Sequence, residues 1–425
     1  MLSLPTKREL VALLLGFTFG MGSWTGLPIV EARSPKPRRS TKKRRLRPPR
    51  GHRRSNRAQH WLGYRLMKAL RKQKRAKNQM LSPMLLSHSL GQLYAGSKGK
   101  LQRRLRRVAG FAKGRLGVHR FHRWQRRYWQ SLRKPKAVQW TVAHRFWMRA
   151  SRSLKQKLRK LLSTFYNTDV ARLPSKAPAK AVNRWIAAQT QGLLRNLLPT
   201  GSLQNEHPFV LTSAMYFQAR WMFPFGVSMT EKRGTFWLSK KKKIKLPLMN
   251  LQEDFRIWRS RWTTVVELPY KGRQIVLTVI APRSRRFRRW ERRVTWRRLR
   301  YWLRVRKRVR HLDLYMPRFK VTVRRQLDKV LTSLGLGALF QLSRKNWNML
   351  QKQGPLGLGP FWSGVSLAID EKGTSAAAAM GISGLENGDK TLEVRIDRPF
   401  WFVLWDRKYK HWLLMGRIVH PLRSD

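Results

Sequence analysis

The chain has 425 residues, of which 42% are hydrophobic, with 19 Trp and 18 Phe, so a large core can be built and a chain disordered throughout is excluded. Its 94 Lys and Arg against 19 Asp and Glu leave a formal net charge of +75 spread along the sequence, and a compact fold carrying it repels itself unless a polyanion supplies counter-charge. There is no cysteine, which excludes disulfides and thiol chemistry.

The amino terminus reads Lys7-Arg8, an apolar run from Val11 to Met21, then Val30-Glu31-Ala32, the layout of a secretory leader over 1–32. That run is shorter than the about 20 apolar residues a membrane span needs, and no later segment qualifies. Export to the extracellular space is expected, with the nucleus or endoplasmic reticulum as alternatives. Residues 33–60 are read as a disordered basic arm, because Arg33 to Arg57 contains 13 Lys or Arg, four Pro and no acid. Ser34-Pro35-Lys36 and Thr41-Lys42-Lys43 resemble chromatin-binding tails, which adds nucleic acid to the candidate partners.

Globular patterning begins near Trp61, where Leu62, Leu66, Met67 and Leu70 recur at helical spacing, and helices prevail to about Leu198. Strands follow from Phe209: Val210-Leu211, Met215-Tyr216-Phe217, Val265 to Leu268, Ile275 to Ile280, and alternating Leu312, Leu314 and Met316. A helix-rich first half and a strand-rich second half predict one α+β domain over 61–421, with 422–425 as a tail. His119 and His122 stand three apart with no further ligand at metal-like spacing, so neither a metal nor a cofactor is expected. The glycines of Gly335-Leu336-Gly337 and Gly354 to Gly359 are read as turns, since they lack the strand-to-helix setting of a nucleotide loop.

Ordered blocks along 61–421 resemble the serpin family. They are Asn78-Gln79-Met80-Leu81-Ser82-Pro83, Tyr94-Ala95-Gly96-Ser97-Lys98-Gly99, Asn183-Arg184-Trp185 with Gln189-Thr190 and Leu198-Pro199, and Ala214-Met215-Tyr216-Phe217 with Trp221 and Phe225. Further along come Glu267-Leu268-Pro269-Tyr270-Lys271-Gly272, Met316-Pro317-Arg318-Phe319 with Leu334-Gly335 and Phe340, Asp397-Arg398-Pro399-Phe400, and Met415-Gly416-Arg417 with Pro421. The resemblance implies helices packed on large, mainly antiparallel sheets, with an exposed reactive loop.

The segment Glu371, Lys372, Gly373, Thr374, Ser375, Ala376, Ala377, Ala378 and Ala379 resembles the hinge of an inhibitory serpin, in which a cleaved loop enters the main sheet as a new strand. An inserting strand must donate every backbone N–H, and no proline lies between Glu371 and Asn387. Thr374 and the alanines are small enough to pass between packed strands. The resemblance implies no catalytic residue in this chain: the nucleophile belongs to a target protease, trapped as an acyl-enzyme. Family spacing places the scissile bond near Asn387–Gly388, and the one basic residue nearby is Lys390. Ser213 and Ser363 stand where the family usually has Asn and His beneath the parting strands.

Two segments interleave arginine with aromatics. Arg115 to Lys136 carries Arg120, Arg123, Arg126, Arg127, Arg133 and Lys134 around Trp124, Tyr128 and Trp129. Arg283 to Arg310 has 15 Lys or Arg among 28 residues, including Arg288, Arg289, Arg292, Arg293, Arg297 and Arg298. By position the two match regions with which heparin-dependent serpins bind heparin, and guanidinium forks suit sulfate and phosphate oxygens. Trp290, Trp296 and Trp302 are read as core, and Lys240 to Lys243 as a hairpin tip. The primary expectation is a secreted inhibitor acting by loop insertion and binding a heparin-like glycosaminoglycan. The alternative is a non-inhibitory serpin that binds or packages polyanions, in matrix or chromatin. A collagen chaperone of the endoplasmic reticulum ranks third, since Arg423-Ser424-Asp425 is not a retention signal.

Overall fold

The apolar stripe at Leu62, Leu66, Met67 and Leu70 lies buried along a 22-residue helix, α1 (His52–Gln73), in the computed structural model. The structure describes residues 48–49, 51–73, 77–111, 114–132, 138–149, 151, 153–203, 208–304, 307–350, 355–374 and 392–423. The leader, residues 33–47 of the arm, Arg133, Lys134, Ser375 to Ala379, Asn387 and Gly388 lie outside them. Helix α1 starts before the expected arm boundary at residue 60. Charge density hid three inward-facing polar residues: Asn56 donates to Tyr409 O at 2.7 Å, Gln59 to Gln125 Oε1 at 3.0 Å, and the His60 ring stacks on Trp412 at 4.3 Å.

After α1 come β1 (Gln79–Leu81), α2 (Pro83–Gly96), α3 (Gly99–Ala109) and α4 (Arg115–Leu132). Ser82 caps α2 by accepting from Leu85 N at 3.0 Å, and Pro83 occupies its first turn. Next are β2 (Val138–Met148), α5 (Gln156–Leu161), β3 (Asp169–Arg172) and α6 (Pro178–Gln189). Strand β2, 11 residues long, interrupts the helix-rich half that the sequence predicted. The strand-rich half holds β4 (Phe209–Arg220), β5 (Gly226–Trp237), β6 (Lys243–Arg259), β7 (Thr263–Pro269) and β8 (Ile275–Pro282). Helices α7 (Phe287–Glu291) and α8 (Trp296–Trp302) follow, then β9 (Lys307–Pro317), β10 (Phe319–Gln326), α9 (Asp328–Leu331), β11 (Trp362–Ile369) and β12 (Gly373–Thr374). Strands β13 (Leu392–Arg395), β14 (Phe400–Asp406) and β15 (Trp412–Ile418) end the described chain.

Among the described residues two mainly antiparallel sheets result. The larger runs β1-β15-β14-β8-β7-β6-β9-β13 with β5 beside β6; the other runs β10-β11-β4-β2-β3 with β12 on β4. Strand β4 shows how the layers are joined. Its Met215, Phe217 and Ala219 enter a core shared with Leu248, Leu277 and Leu314 of the larger sheet, whereas Val210 and Ala214 pack with Val182 and Ile186 of α6. A third cluster joins α1, α2 and α3 to the flanking strands.

Glu291 and Arg417 form a buried ion pair at 2.8 and 3.0 Å, and Trp401 Nε1 donates to the same carboxylate at 2.9 Å. Removing one member of such a pair strands its partner's charge. Glu291→Ala is expected to cost about 3–5 kcal/mol, read as a lowered midpoint in urea unfolding.

Candidate functional site

The segment that resembles a hinge begins with a tight turn at the end of β11. Asp370 N donates to Gly373 O at 2.9 Å, and the Asp370 carboxylate accepts from Lys372 N at 3.1 Å and Gly373 N at 3.0 Å, so the chain reverses within four residues. Burial pushes the Asp370 carboxyl up. The turn is docked on the chain between β4 and β5: Trp221 N donates to Lys372 O, Phe225 N to Glu371 O, and Trp221 Nε1 to Asp370 O at 2.9 Å. Glu371 is buried, accepts from Thr230 Oγ1 at 3.1 Å and faces Arg318 at 3.5 Å. Trp221 is itself fixed by stacking on Tyr270 at 4.3 Å.

Beyond this turn Gly373 and Thr374 lie antiparallel to β4, opposite Arg220 and Ala219. Gly373 has φ +144°, and a Cβ there would meet Ala219 O at 2.2 Å and Arg220 Cα at 2.7 Å, so the position requires glycine. Lower in the sheet β4 and β11 pair directly and in parallel, from Ser363 opposite Ser213 to Ser366 opposite Tyr216. A segment continuing from Thr374 along β4 must part that seam. It would replace one parallel junction with two antiparallel ones, the slightly more stable pairing per residue.

Beneath the seam lies a buried network that the sequence reading missed. Ser213 Oγ is 2.7 Å from Ser89 Oγ on α2 and 3.0 Å from His144 Nδ1, the residue opposite it on β2. His88 is stacked with His144 at 5.8 Å and bonds Gln125 Oε1 through Nε2 at 3.1 Å. His122 reaches Ser87 at 3.1 Å, and His119 and His122 share the Tyr166 hydroxyl at 2.7 and 3.1 Å. The polar partners of Ser213 are therefore a hydroxyl on α2 and an imidazole on β2, and the His119/His122 spacing serves a hydrogen-bond network. Burial lowers every affected imidazole: His88 to about 4, His122 and His144 well below the usual histidine value. A visible signal was there, a single histidine in each of two stretches rich in apolar residues, Met84 to Leu93 and Trp140 to Met148.

The two basic segments differ from each other. On α4, Arg120 and Arg127 are exposed, but Arg123 is half-buried over the Phe165 ring and Arg126 is half-buried and donates to Thr164 O at 3.2 Å. Burial, then the charges of Arg127 and Arg123, lowers the Arg126 guanidinium. Trp124 and Tyr128 belong to the core, not to a stacking face, because they sit at helical spacing with buried Phe121. On α7 and α8, Arg288, Arg289, Arg292, Arg293, Arg297 and Arg298 are all exposed, while Trp290 and Trp302 are buried and Trp296 packs against the core. Lys240 to Lys243 are exposed at the β5–β6 turn and the start of β6, as expected.

A family model described as Serpin (serine protease inhibitor) matches residues 57–421. The chain is 25% identical over 364 residues to a plasma serine protease inhibitor of Bos taurus, covering 84% of this chain and 88% of that one. It is 26% identical over 365 residues to Serpin B6 of Macaca fascicularis, covering 84% and 96%. Among solved structures, native protease nexin-1 with heparin is similar with a TM-score of 0.77 at 20% identity, over 87% of this chain and 100% of that one. Uncleaved ovalbumin is similar with a TM-score of 0.76 at 20% identity, over 86% and 100%.

Proposed function

Because the chain belongs to the serpin family, we propose that it is a secreted serine protease inhibitor that works by loop cleavage and insertion and binds a heparin-like polyanion. The single observation that carries inhibition is the short β12 ladder, which already lies on β4 above a parallel seam with β11. On this reading the chain contributes no catalytic group. The target's serine oxygen attacks the loop carbonyl, the amine half leaves with a proton, and the acyl ester is carried off as residues from Thr374 onward lengthen β12. Incubating the full chain with a panel of serine proteases should give a denaturant-stable covalent complex. Loop cleavage should also raise the melting temperature greatly, and an unchanged midpoint would remove the insertion mechanism.

Polyanion binding is supported by the +75 charge and by the exposed arginines of α4, α7 and α8. The similarity to protease nexin-1, solved with heparin, is consistent with it. Reversing Arg120 and Arg127 to Glu is expected to lower the salt needed for elution from heparin and to flatten its salt dependence, because fewer counterions are released. Unchanged elution would remove α4 from the binding surface. A second reading, a non-inhibitory polyanion-binding or packaging serpin, is favoured by the Leu385-Glu386-Asn387-Gly388-Asp389 stretch, which offers no basic bait at the expected bond. The covalent-complex assay separates the two.

A further inference from the structure

A cleft of about 1130 Å³ opens beside Pro399 where four stretches of chain meet: the end of α1, the β5–β6 turn, the run from Arg285 to Arg292, and the chain after β15. Arg71, Lys72, Lys240, Lys242, Arg289 and Arg423 are among the residues that line it. Among the described lining residues Glu291 is the one acid, and its carboxylate is engaged by Arg417 and Trp401. The recess therefore holds a concentrated positive field. His420 at its wall registers that field, being pushed down by burial and then by the Arg423 charge, with a smaller contribution from Lys242.

We propose that this cleft binds a linear sulfated polysaccharide lying one chain deep between α1, the β5–β6 turn and α7. The inference rests on the polyanion reading above, with which it shares Arg288, Arg289 and Arg292. It differs in making the site a concave recess of four segments instead of a helix face. Guanidinium groups converging from several sides match sulfates that project in more than one direction from one strand. A duplex, whose major groove alone is about 12 Å wide, lies against a surface and does not enter such a recess. Single-stranded nucleic acid would enter, but it draws about 1–3 kcal/mol per base from aromatic stacking. The recess is poor in such platforms: among its described lining residues the one carbocyclic ring, Phe287, is buried, and the one other ring is the half-buried imidazole of His420.

The test uses the full chain, a labelled heparin decasaccharide and a labelled oligothymidylate, with binding followed by anisotropy at fixed salt. Lys240→Glu, Lys242→Glu and Arg289→Glu together are compared with Lys100→Glu, Arg103→Glu and Arg107→Glu, which remove the same charge from α3; all six side chains are exposed. The cleft variant should weaken decasaccharide binding about tenfold more than the α3 variant, as expected for lost site contacts added to lost general charge. Its oligothymidylate binding should fall no further than that of the α3 variant. Equal weakening of the decasaccharide by both variants, with the unaltered chain binding well, overturns the cleft and leaves the general polyanion reading standing. An equally selective loss of oligothymidylate overturns the assignment to polysaccharide. No decasaccharide binding by the unaltered chain overturns both readings. Should the cleft variant melt early, Lys240→Gln with Lys242→Gln on the exposed turn is read in its place, with the same outcomes.

Discussion

Replacing Gly373 by valine is expected to convert inhibition into substrate behaviour: the loop is still cleaved, and the protease leaves before the strand is in. Gly373 is the first residue of the ladder on β4, its φ of +144° lies where L side chains are strained, and its missing Cβ would stand 2.2 Å from Ala219 O. Strain of this kind costs about 1–3 kcal/mol, or roughly a 5- to 150-fold shift in the partition between trapping and release, before the backbone clash is counted. Asp370 and Trp221 hold the turn just before it, so the strain has no slack to dissipate into. The readout is the ratio of denaturant-stable complex to cleaved, released chain, against the unaltered protein as the positive control. Trapping by the valine variant at the unaltered ratio would mean that insertion does not pass through this contact. Thr374→Arg should act in the same direction, since the next ladder position would carry a charge into the sheet.

What could be read from the sequence divides along physical lines. The segment read as a hinge stands out along the chain because its chemistry is local: a glycine, then small residues, with no proline to withhold an N–H. The exposed arginines of α7 and α8 were legible because charge at that density has few places to go. Three things were not. The inward face of α1 at Asn56, Gln59 and His60 was masked by the arginines between them. The role of Trp124 and Tyr128 depends on which face of α4 turns to the core, and an arginine-rich helix with rings on it reads either way until its neighbours are placed. The histidine network is long-range: Ser89, His144 and Ser213 come from α2, β2 and β4, and only strand register puts them together. Seen along the chain, Ser213 and Ser363 stand where the family usually has Asn and His. In the fold, the imidazole of His144 supplies a partner to Ser213 from the neighbouring strand.

That network is expected to make the protein acid-sensitive. His88 is fully buried, and burial holds it neutral to about pH 4, partly offset by its bond to Gln125 and reinforced by the Arg126 charge. The unfolded chain takes up that proton near pH 6.5, so between about pH 6.5 and 4 it binds a proton the folded chain refuses. Stability contributed by the neutral form is fully present above that window and falls as pH drops through it, by about 1.4 kcal/mol per pH unit for one such histidine. His122, lowered by burial and then by His88, His119 and His144, and His144, lowered by burial and then by His88, act in the same direction. Their protonations are coupled, so the slopes do not simply add. The melting temperature should therefore fall steeply from pH 7 to pH 5, and His88→Gln should flatten that fall. Because Ser213 sits at the β4–β11 seam, a charge forced in beneath it should loosen the seam before the rest of the sheet. Amide hydrogen exchange at Ser213 to Tyr216 and Ser363 to Ser366 should accelerate at pH 5 ahead of exchange in β14 and β15, and uniform acceleration across both sheets would separate the histidines from the seam.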